Sequence, residues 1–170
     1  MADLEKITPF ILRWEGGFIN DPYDRGGATN KGVTLGTFRA VYGPGKTEDD
    51  LKKMTNTQWL HIIRSRYWDA MRGSNIASQK IATIVLDWFW ASGFAGLKGT
   101  QTVLGVTPDG VVGPLTLKAL NTENEDYLFE RIFQARLAFI ERICRARPEN
   151  ERFRKGWLNR LNDLRKFVGA

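Results

Sequence analysis

The apolar stretch from Ala77 to Ala91 constrains the fold of this chain more than any other feature. Ile81, Ile84 and Trp88 recur within it at helical spacing, and the residues between them make the helix apolar almost all round. A helix that is hydrophobic on every side has to be surrounded by other elements of the structure. We therefore expect a central buried helix with further helices packed around it.

Periodic apolar patterns elsewhere in the chain predict a mainly α protein. Thr34 and Thr55 are suited to cap two of these helices, because a threonine hydroxyl accepts a hydrogen bond from the first helical turn. Turn-forming residues between positions 15 and 34 predict a small irregular β-hairpin after the first helix. The periodic segments cover residues 4–15, 34–42, 55–67, 128–144 and 153–168.

Length and charge limit the size of the core and the kinds of partner only loosely. A chain of 170 residues with 42% hydrophobic residues can bury one substantial core. The formal net charge of +6 is spread along the chain without a charged tail, which suits attraction to an anionic polymer. Nucleic acid is such a polymer, but the basic residues do not cluster with a recognisable nucleic-acid recognition element, so we expect no nucleic-acid partner.

The single cysteine, Cys144, and the single histidine, His61, exclude several kinds of site. One cysteine cannot form an intramolecular disulfide, and its position in a helical apolar run predicts a small core residue. Without a second histidine or a thiol cluster, the sequence offers no zinc-type site and no Ser-His-Asp triad. We expect His61 on a helix surface, and we expect neither a metal nor a cofactor.

Targeting and membrane signals are not evident. No N-terminal segment combines a basic start with an apolar run, and no window approaches the roughly 20 apolar residues of a membrane span. We therefore expect a protein made in the cytoplasm without its own export signal and without stable membrane insertion.

Glu15 continues the apolar stripe that Leu4 and Ile11 begin on the first predicted helix. Apolar surroundings and the exposed carbonyls of a helix C-terminus both favour the protonated carboxyl group, which suits general-acid catalysis. Gly16 and Gly17 follow as the predicted C-cap. The alternative is a partly exposed glutamate at a helix end without a catalytic role.

The polar stretch after Glu15 supplies a second carboxylate and a hydroxyl. Asn20-Asp21-Pro22 and Arg25-Gly26-Gly27 are turn sequences, and the short run between them could form an irregular hairpin with Val33 and its neighbours. Such a hairpin would project Asp24 and Thr29 back towards Glu15. Glycosidases use one protonated and one ionised carboxyl group beside the scissile bond, and a threonine hydroxyl can orient a water. Local roles in an Asx turn and in a turn hydroxyl contact are the alternatives.

Residues 15–34, EGGFINDPYDRGGATNKGVT, resemble the signature of the glycoside hydrolase family 108 muramidases. This group contains bacteriophage endolysins and bacterial secretion-activator proteins. The resemblance implies a lysozyme-like fold with a helical bundle lobe. It also implies cleavage of the β-1,4 bond between N-acetylmuramic acid and N-acetylglucosamine in peptidoglycan, with Glu15 as the catalytic acid.

More distant phage-type lysozymes share the pattern of a glutamate, eight residues, Asp or Cys, five residues and a threonine. Glu15 and Asp24 keep eight intervening residues, but only four separate Asp24 from Thr29. Asn30 occupies the expected offset and Thr34 follows nearby. The resemblance therefore leaves open which of these three residues positions the water.

Substrate contacts are expected from the same stretch, at Asn20, Tyr23, Arg25 and Asn30. Tyr23 has an aromatic face on which a sugar ring can stack, and Arg25 can hold a carboxylate or an acidic group of the substrate. The large aromatic residues outside this stretch are expected mostly in the core, namely Trp59, Trp68, Trp88 and Trp90.

Residues 104–116, LGVTPDGVVGPLT, together with Gln101 resemble the core of peptidoglycan-binding modules. In physical terms, Asp109-Gly110 and Gly113-Pro114 predict a tight turn that enters a helix at Pro114, where proline is tolerated. A structural role for this motif is favoured over direct contact with a ligand.

The two resemblances together predict a peptidoglycan hydrolase with a catalytic muramidase lobe over residues 1–92 and a helical lobe over residues 93–170. We expect the two lobes to pack as one globular unit and the chain to be a monomer whose partner is the glycan strand of peptidoglycan. The resemblance also implies a holin-like release factor, after which the protein would act on the cell wall in the periplasm.

Two other functions stay open from the sequence. A lytic transglycosylase would use Glu15 alone, and a non-catalytic protein would only bind the cell wall. For a hydrolase, the sequence does not distinguish an inverting reaction, in which Asp24 activates water, from a retaining one, in which Asp24 is the nucleophile.

Overall fold

The structure of the chain is a computed structural model that describes residues 1–20 and 27–170. Within these ranges it contains nine α-helices and one two-stranded antiparallel sheet, so the prediction of a mainly α chain with a small hairpin is confirmed. The helices are α1 Thr8–Trp14, α2 Leu35–Tyr42, α3 Glu48–Lys52, α4 Asn56–Ile63, α5 Gln79–Ser92, α6 Phe94–Leu104, α7 Pro114–Thr122, α8 Glu125–Ala146 and α9 Glu151–Phe167. The strands are β1 Thr29–Asn30 and β2 Val33–Thr34.

Shorter helical segments also lie within residues 1–20 and 27–170. Three 3-10 turns lie at Leu4–Lys6, Gly73–Asn75 and Pro148–Asn150, and a π-helix at Arg64–Trp68 continues α4. The predicted N-caps are confirmed, because the hydroxyls of Thr34 and Thr55 accept hydrogen bonds from the first turns of α2 and α4.

The chain forms two compact units, one comprising Glu5–Arg66 and the other Met1–Leu4 with Tyr67–Ala170. This division by packing lies at a different place from the lobe boundary that the sequence resemblances suggest between residues 92 and 93. The first unit contains α1, the hairpin and α2 to α4, and the second contains α5 to α9.

Helix α5 is the central element of the larger unit, as its sequence predicts. Every residue from Ile81 to Phe89 is buried, and α5 packs against α6 and α8. Gly93, with a φ of 57°, joins α5 to α6 in a conformation that favours glycine. A Cβ atom on Gly96 would lie 2.5 Å from the Trp88 carbonyl oxygen, so only glycine allows these two helices to approach so closely.

A buried ion cluster joins three helices of the larger unit. Asp87 on α5 is completely buried, and its carboxylate oxygens each lie 2.7 Å from a guanidinium nitrogen, one of Arg136 on α8 and one of Arg160 on α9. Burial by itself would raise the pKa of Asp87, but the two guanidinium groups outweigh burial and hold that pKa below its usual value. The cluster therefore contains an ionised carboxylate that depends on both arginines.

The Asp109-Gly110 turn has the structural role that its sequence favours. The Gln101 side chain is buried, its Nε2 donates to Asp109 Oδ1 at 2.9 Å, and its Oε1 accepts from the Gly110 N–H at 2.8 Å. Gly110 has a φ of 83°, which favours glycine. Hydrogen bonds from the Val111 N–H and from Gln101 lower the pKa of Asp109. This motif therefore fixes the entry into α7, which begins at Pro114.

Several predictions for single residues are also confirmed. Cys144 is buried in α8, and His61 is exposed in the last turn of α4. Three of the four tryptophans that were expected in the core are almost completely buried, and these are Trp59, Trp68 and Trp88. None of the helices in the described ranges combines the length and the apolar character that a membrane span requires.

Candidate active site

Glu15 lies where the chain leaves α1. The helix has Pro9 in its first turn, and Phe10 and Ile11 are buried on its inner face. Glu15 adopts an extended conformation, with φ −93° and ψ 136°, and its N–H donates to the Leu12 carbonyl at 3.3 Å. Its side chain is half-buried. The backbone of Glu15 is therefore fixed by the helix end, and the residue is partly exposed to solvent.

The predicted glycine C-cap is wrong. Glu15 itself ends the helix, and neither Gly16 nor Gly17 has the positive φ of a left-handed glycine cap. The physical reason is that the chain turns from helix to extended backbone directly at Glu15 and continues towards a bridge at Ile19.

A backbone bridge between Ile19 and Thr29 closes the segment that follows Glu15. The Ile19 N–H donates to the Thr29 carbonyl and the Thr29 N–H to the Ile19 carbonyl, both at 2.8 Å. The bridge holds the two ends of residues 20–28 together and connects them to the hairpin. Three predicted site residues of this segment, Tyr23, Asp24 and Arg25, lie outside the residues that the structure describes.

Strands β1 and β2 form a small hairpin after the first helix, as predicted, but its turn is Lys31-Gly32 and neither of the predicted turn sequences. Thr29 pairs with Thr34 and Asn30 with Val33. The two turn residues, Lys31 and Gly32, have φ values of 48° and 77°, as in a type I′ turn, whose twist matches that of paired strands. Thr29 and Thr34 therefore lie side by side on one face of the hairpin, and Asn30 and Val33 lie on the buried face.

Asn30 connects the hairpin to α3. It is 5% exposed, and its Nδ2 donates to the carbonyl oxygens of Leu51 at 2.9 Å and Lys52 at 3.3 Å. These carbonyls belong to the last turn of α3, beyond the reach of the helix's own N–H groups, and the Leu51 carbonyl also accepts from the Met54 N–H at 3.1 Å. The amide nitrogen of Asn30, a predicted substrate contact, is thus engaged in holding the hairpin in place.

We predict that Asn30→Ala lowers the free energy of unfolding by about 1–3 kcal/mol, because it removes the two hydrogen bonds that the buried Asn30 amide donates to the end of α3, each contributing about 0.5–1.5 kcal/mol. Urea unfolding followed by circular dichroism measures the change. Lys31→Ala is the matched control, because its exposed contact from Nζ to Asn56 Oδ1 contributes little to stability. Equal stability of Asn30→Ala and the unsubstituted protein would contradict this role.

The three candidates for positioning a water differ in how their side chains are engaged. The Thr34 hydroxyl caps α2, accepting from the Thr37 N–H at 3.1 Å, and Asn30 is buried against α3. The half-buried Thr29 hydroxyl donates to the Gly27 carbonyl at 3.3 Å, and no described residue donates a hydrogen bond to it. Thr29 is therefore the candidate whose hydroxyl oxygen is best placed to bind a further group.

Asn20 is held by a residue that sequence reasoning did not single out. Its Nδ2 donates to Glu48 Oε2 at 2.8 Å, and Glu48 lies in the first turn of α3, where a carboxylate is favoured by the helix dipole. The acidic turn after Thr47 is visible in the sequence, but its pairing with Asn20 is a tertiary contact. Glu48 thus fixes one end of the segment that carries Asp24.

The hairpin is also attached to α4. The indole N–H of Trp59 donates to the Lys31 carbonyl at 3.0 Å, and Trp59 is buried. The turn of the hairpin is therefore anchored by α4 as well as by α3. Glu15, Asn20, Thr29 and Asn30 all belong to this same compact unit.

Comparisons with known proteins agree with this architecture. Residues 8–93 match the family model described as glycosyl hydrolase 108, and residues 95–162 match the one described as a predicted peptidoglycan domain. No curated protein matches significantly. The solved structure of SagA from Brucella abortus is 32% identical to this chain, with a TM-score of 0.84 over 96% of this chain and 92% of that one.

These matches bear on both the fold and the family. They confirm a mainly α, lysozyme-like fold, and they place a glycoside hydrolase domain before a peptidoglycan domain. The first match contains Glu15 and the whole hairpin, and the second contains the Asp109-Gly110 turn. The chain belongs to the glycosyl hydrolase 108 family.

Proposed function

We propose that this protein is an N-acetylmuramidase that cleaves the β-1,4 bond between N-acetylmuramic acid and N-acetylglucosamine in peptidoglycan, with Glu15 as the general acid. The observation that carries the proposal is the placement of Glu15, a half-buried carboxyl group on fixed backbone at the end of α1. The chain bridges to the hairpin directly after it. Such a group can reach a substrate without disturbing the core.

In the proposed reaction, Glu15 gives its proton to the glycosidic oxygen while the bond from that oxygen to C1 of the muramic acid ring breaks. The sugar ring then carries positive charge, and an ionised carboxylate nearby stabilises it. We assign this role to Asp24, on the basis of its spacing from Glu15 and the family resemblance. A water adds to C1 and gives its proton to a base.

Thr29 is proposed to orient this water. Its hydroxyl oxygen has room to accept a hydrogen bond, whereas Thr34 and Asn30 are engaged in capping and in holding the hairpin. Asn20, Tyr23 and Arg25 are proposed as substrate contacts. Asn20 depends on Glu48 for its position.

We predict that Asp24→Asn impairs cleavage more than Thr29→Ala does. The carboxylate stabilises developing charge directly, whereas the hydroxyl only orients a water. The rate of release of soluble fragments from purified peptidoglycan measures both effects. Thr29→Ser keeps a hydroxyl and should retain more activity than Thr29→Ala.

Asp69→Asn is the control for Asp24→Asn, because Asp69 is an exposed aspartate in the other unit of the chain. It should cleave at the unsubstituted rate. An Asp24→Asn variant as active as the Asp69→Asn variant would leave Glu15 as the sole catalytic carboxyl group and would favour a lytic transglycosylase.

The proposed activity itself is tested on purified peptidoglycan. A muramidase releases soluble fragments, whereas a protein that only binds the wall sediments with it and releases none. Action in the periplasm after release by a holin-like factor stays a prediction. If the protein acts in the periplasm, it should lyse cells from outside only after their outer barrier has been opened.

A further inference from the structure

A groove lies between α6 and α8 in the larger unit of the chain. It encloses about 590 Å³, and its lining is mainly apolar, with Trp88, Val103, Ala138 and Phe139 among its residues. A neighbouring hollow of about 360 Å³ shares Thr102 and Val103 with it. Its size falls in the range of small-ligand sites.

Two cations of the groove are available to a ligand. Lys98 on α6 and Arg142 on α8 line it and are exposed, and neither forms an ion pair with any residue in the described ranges. The Arg142 guanidinium lies over the Phe139 ring, 5.3 Å from its centroid, which fixes the cation beside the apolar lining. By contrast, Arg131 in the neighbouring hollow is held by Glu123 at 2.8 Å.

Trp88 adds a fixed aromatic ring to the lining. It lines the groove and is 1% exposed, yet its indole Nε1 has no hydrogen-bond partner in the described structure. The ring is held by Phe139, with a centroid distance of 5.8 Å, and by Gly99, where a Cβ atom would lie 2.5 Å from it. The Nε1 atom itself is buried, so Trp88 contributes a fixed aromatic wall to the groove.

We propose that this groove binds the stem peptide of peptidoglycan. The stem peptide combines free carboxylates, which suit Lys98 and Arg142, with alanine methyl groups, which suit the apolar lining. This inference rests on the proposed function in that peptidoglycan is the substrate, and it assigns recognition of the peptide, rather than of the glycan, to α6 and α8.

The test is calorimetric titration of the 170-residue chain with synthetic L-Ala-γ-D-Glu-L-Lys-D-Ala-D-Ala. Lys98→Gln/Arg142→Gln should weaken binding about tenfold, as expected for the loss of two partly exposed ion pairs. The control Lys118→Gln/Arg145→Gln removes the same charge from exposed residues outside the groove and should bind within about twofold of the unsubstituted protein. Ala138→Trp should weaken binding while both cations remain.

Absence of pentapeptide binding, or equal weakening in the two double variants, would overturn the proposal. So would undiminished binding of a pentapeptide whose carboxylates are all amidated. Glycan strands stripped of peptide separate this inference from the proposed function, because Lys98→Gln/Arg142→Gln should cleave them at the unsubstituted rate. Slower cleavage of bare glycan by that variant would mean that the groove binds sugar, which would also overturn it.

Discussion

Glu15→Gln is expected to lower the rate of peptidoglycan cleavage by about 10²–10⁴-fold, the usual contribution of a general acid. Glutamine has almost the same size and shape as glutamate but cannot donate a proton to the glycosidic oxygen. The side chain lies at the end of α1, outside the apolar core of its unit. The substitution should therefore leave the helical circular dichroism and the thermal midpoint nearly unchanged.

The measurement is the initial rate of fragment release from purified peptidoglycan, with Glu149→Gln as the control. Glu149 is an exposed glutamate in the 3-10 turn before α9, in the other unit. Its variant should retain full activity. A Glu15→Gln variant that keeps more than about a tenth of the activity would fall short of the expected contribution and would remove Glu15 from the acid role.

Asp87→Asn should cause the largest loss of stability among single substitutions that conserve side-chain size. The change removes the charge that Arg136 and Arg160 surround, and Arg136 is itself only 4% exposed. Removing one partner of a buried ion pair leaves an uncompensated buried charge, and this costs about 3–5 kcal/mol. Urea unfolding of the 170-residue chain measures the loss.

Acid should destabilise the unsubstituted protein through the same cluster. The pKa of Asp87 is lower in the folded state than in the unfolded state. The contribution of Asp87 to the free energy of unfolding is therefore present above the unfolded pKa of about 3.9, and it is lost as the pH falls through the folded pKa. Asp87→Asn should lack this part of the pH dependence.

Asp126→Asn is the control for the buried cluster, because Asp126 pairs with Lys80 at the surface at 2.5 Å and is 74% exposed. A surface pair of this kind contributes little, since water and salt screen it. If Asp87→Asn were as stable as Asp126→Asn, the buried cluster would not stabilise the fold.

The helices could be predicted from the sequence because their signals are local. α5 is recognisable from apolar residues on all its sides, and Thr34 and Thr55 mark helix starts because a cap acts within one turn. The ion cluster could not be predicted in the same way. Asp87 lies far along the chain from Arg136 and Arg160, and periodicity does not say which charges meet inside a core.

The candidate active site likewise has some features that the sequence predicts and others that depend on tertiary packing. The turn-rich character of residues 15–34 predicts a small hairpin but not its Lys31-Gly32 turn, and the family resemblance singles out Glu15. Two features depend on where α3 packs, namely the burial of Asn30 against its last turn and the pairing of Asn20 with Glu48. The prediction of a glycine C-cap is wrong because Gly-Gly after a helix does not by itself specify which residue leaves the helical conformation.

The most direct test of the proposed function is mass analysis of the products formed from purified peptidoglycan in H₂¹⁸O. Hydrolysis by a muramidase places one ¹⁸O atom on C1 of a new reducing N-acetylmuramic acid end, and Glu15→Gln should form no such ends above background. Anhydro-muramic ends without ¹⁸O would identify a lytic transglycosylase. ¹⁸O on N-acetylglucosamine ends would show that the enzyme cleaves the other glycosidic bond. Either result would contradict the proposal.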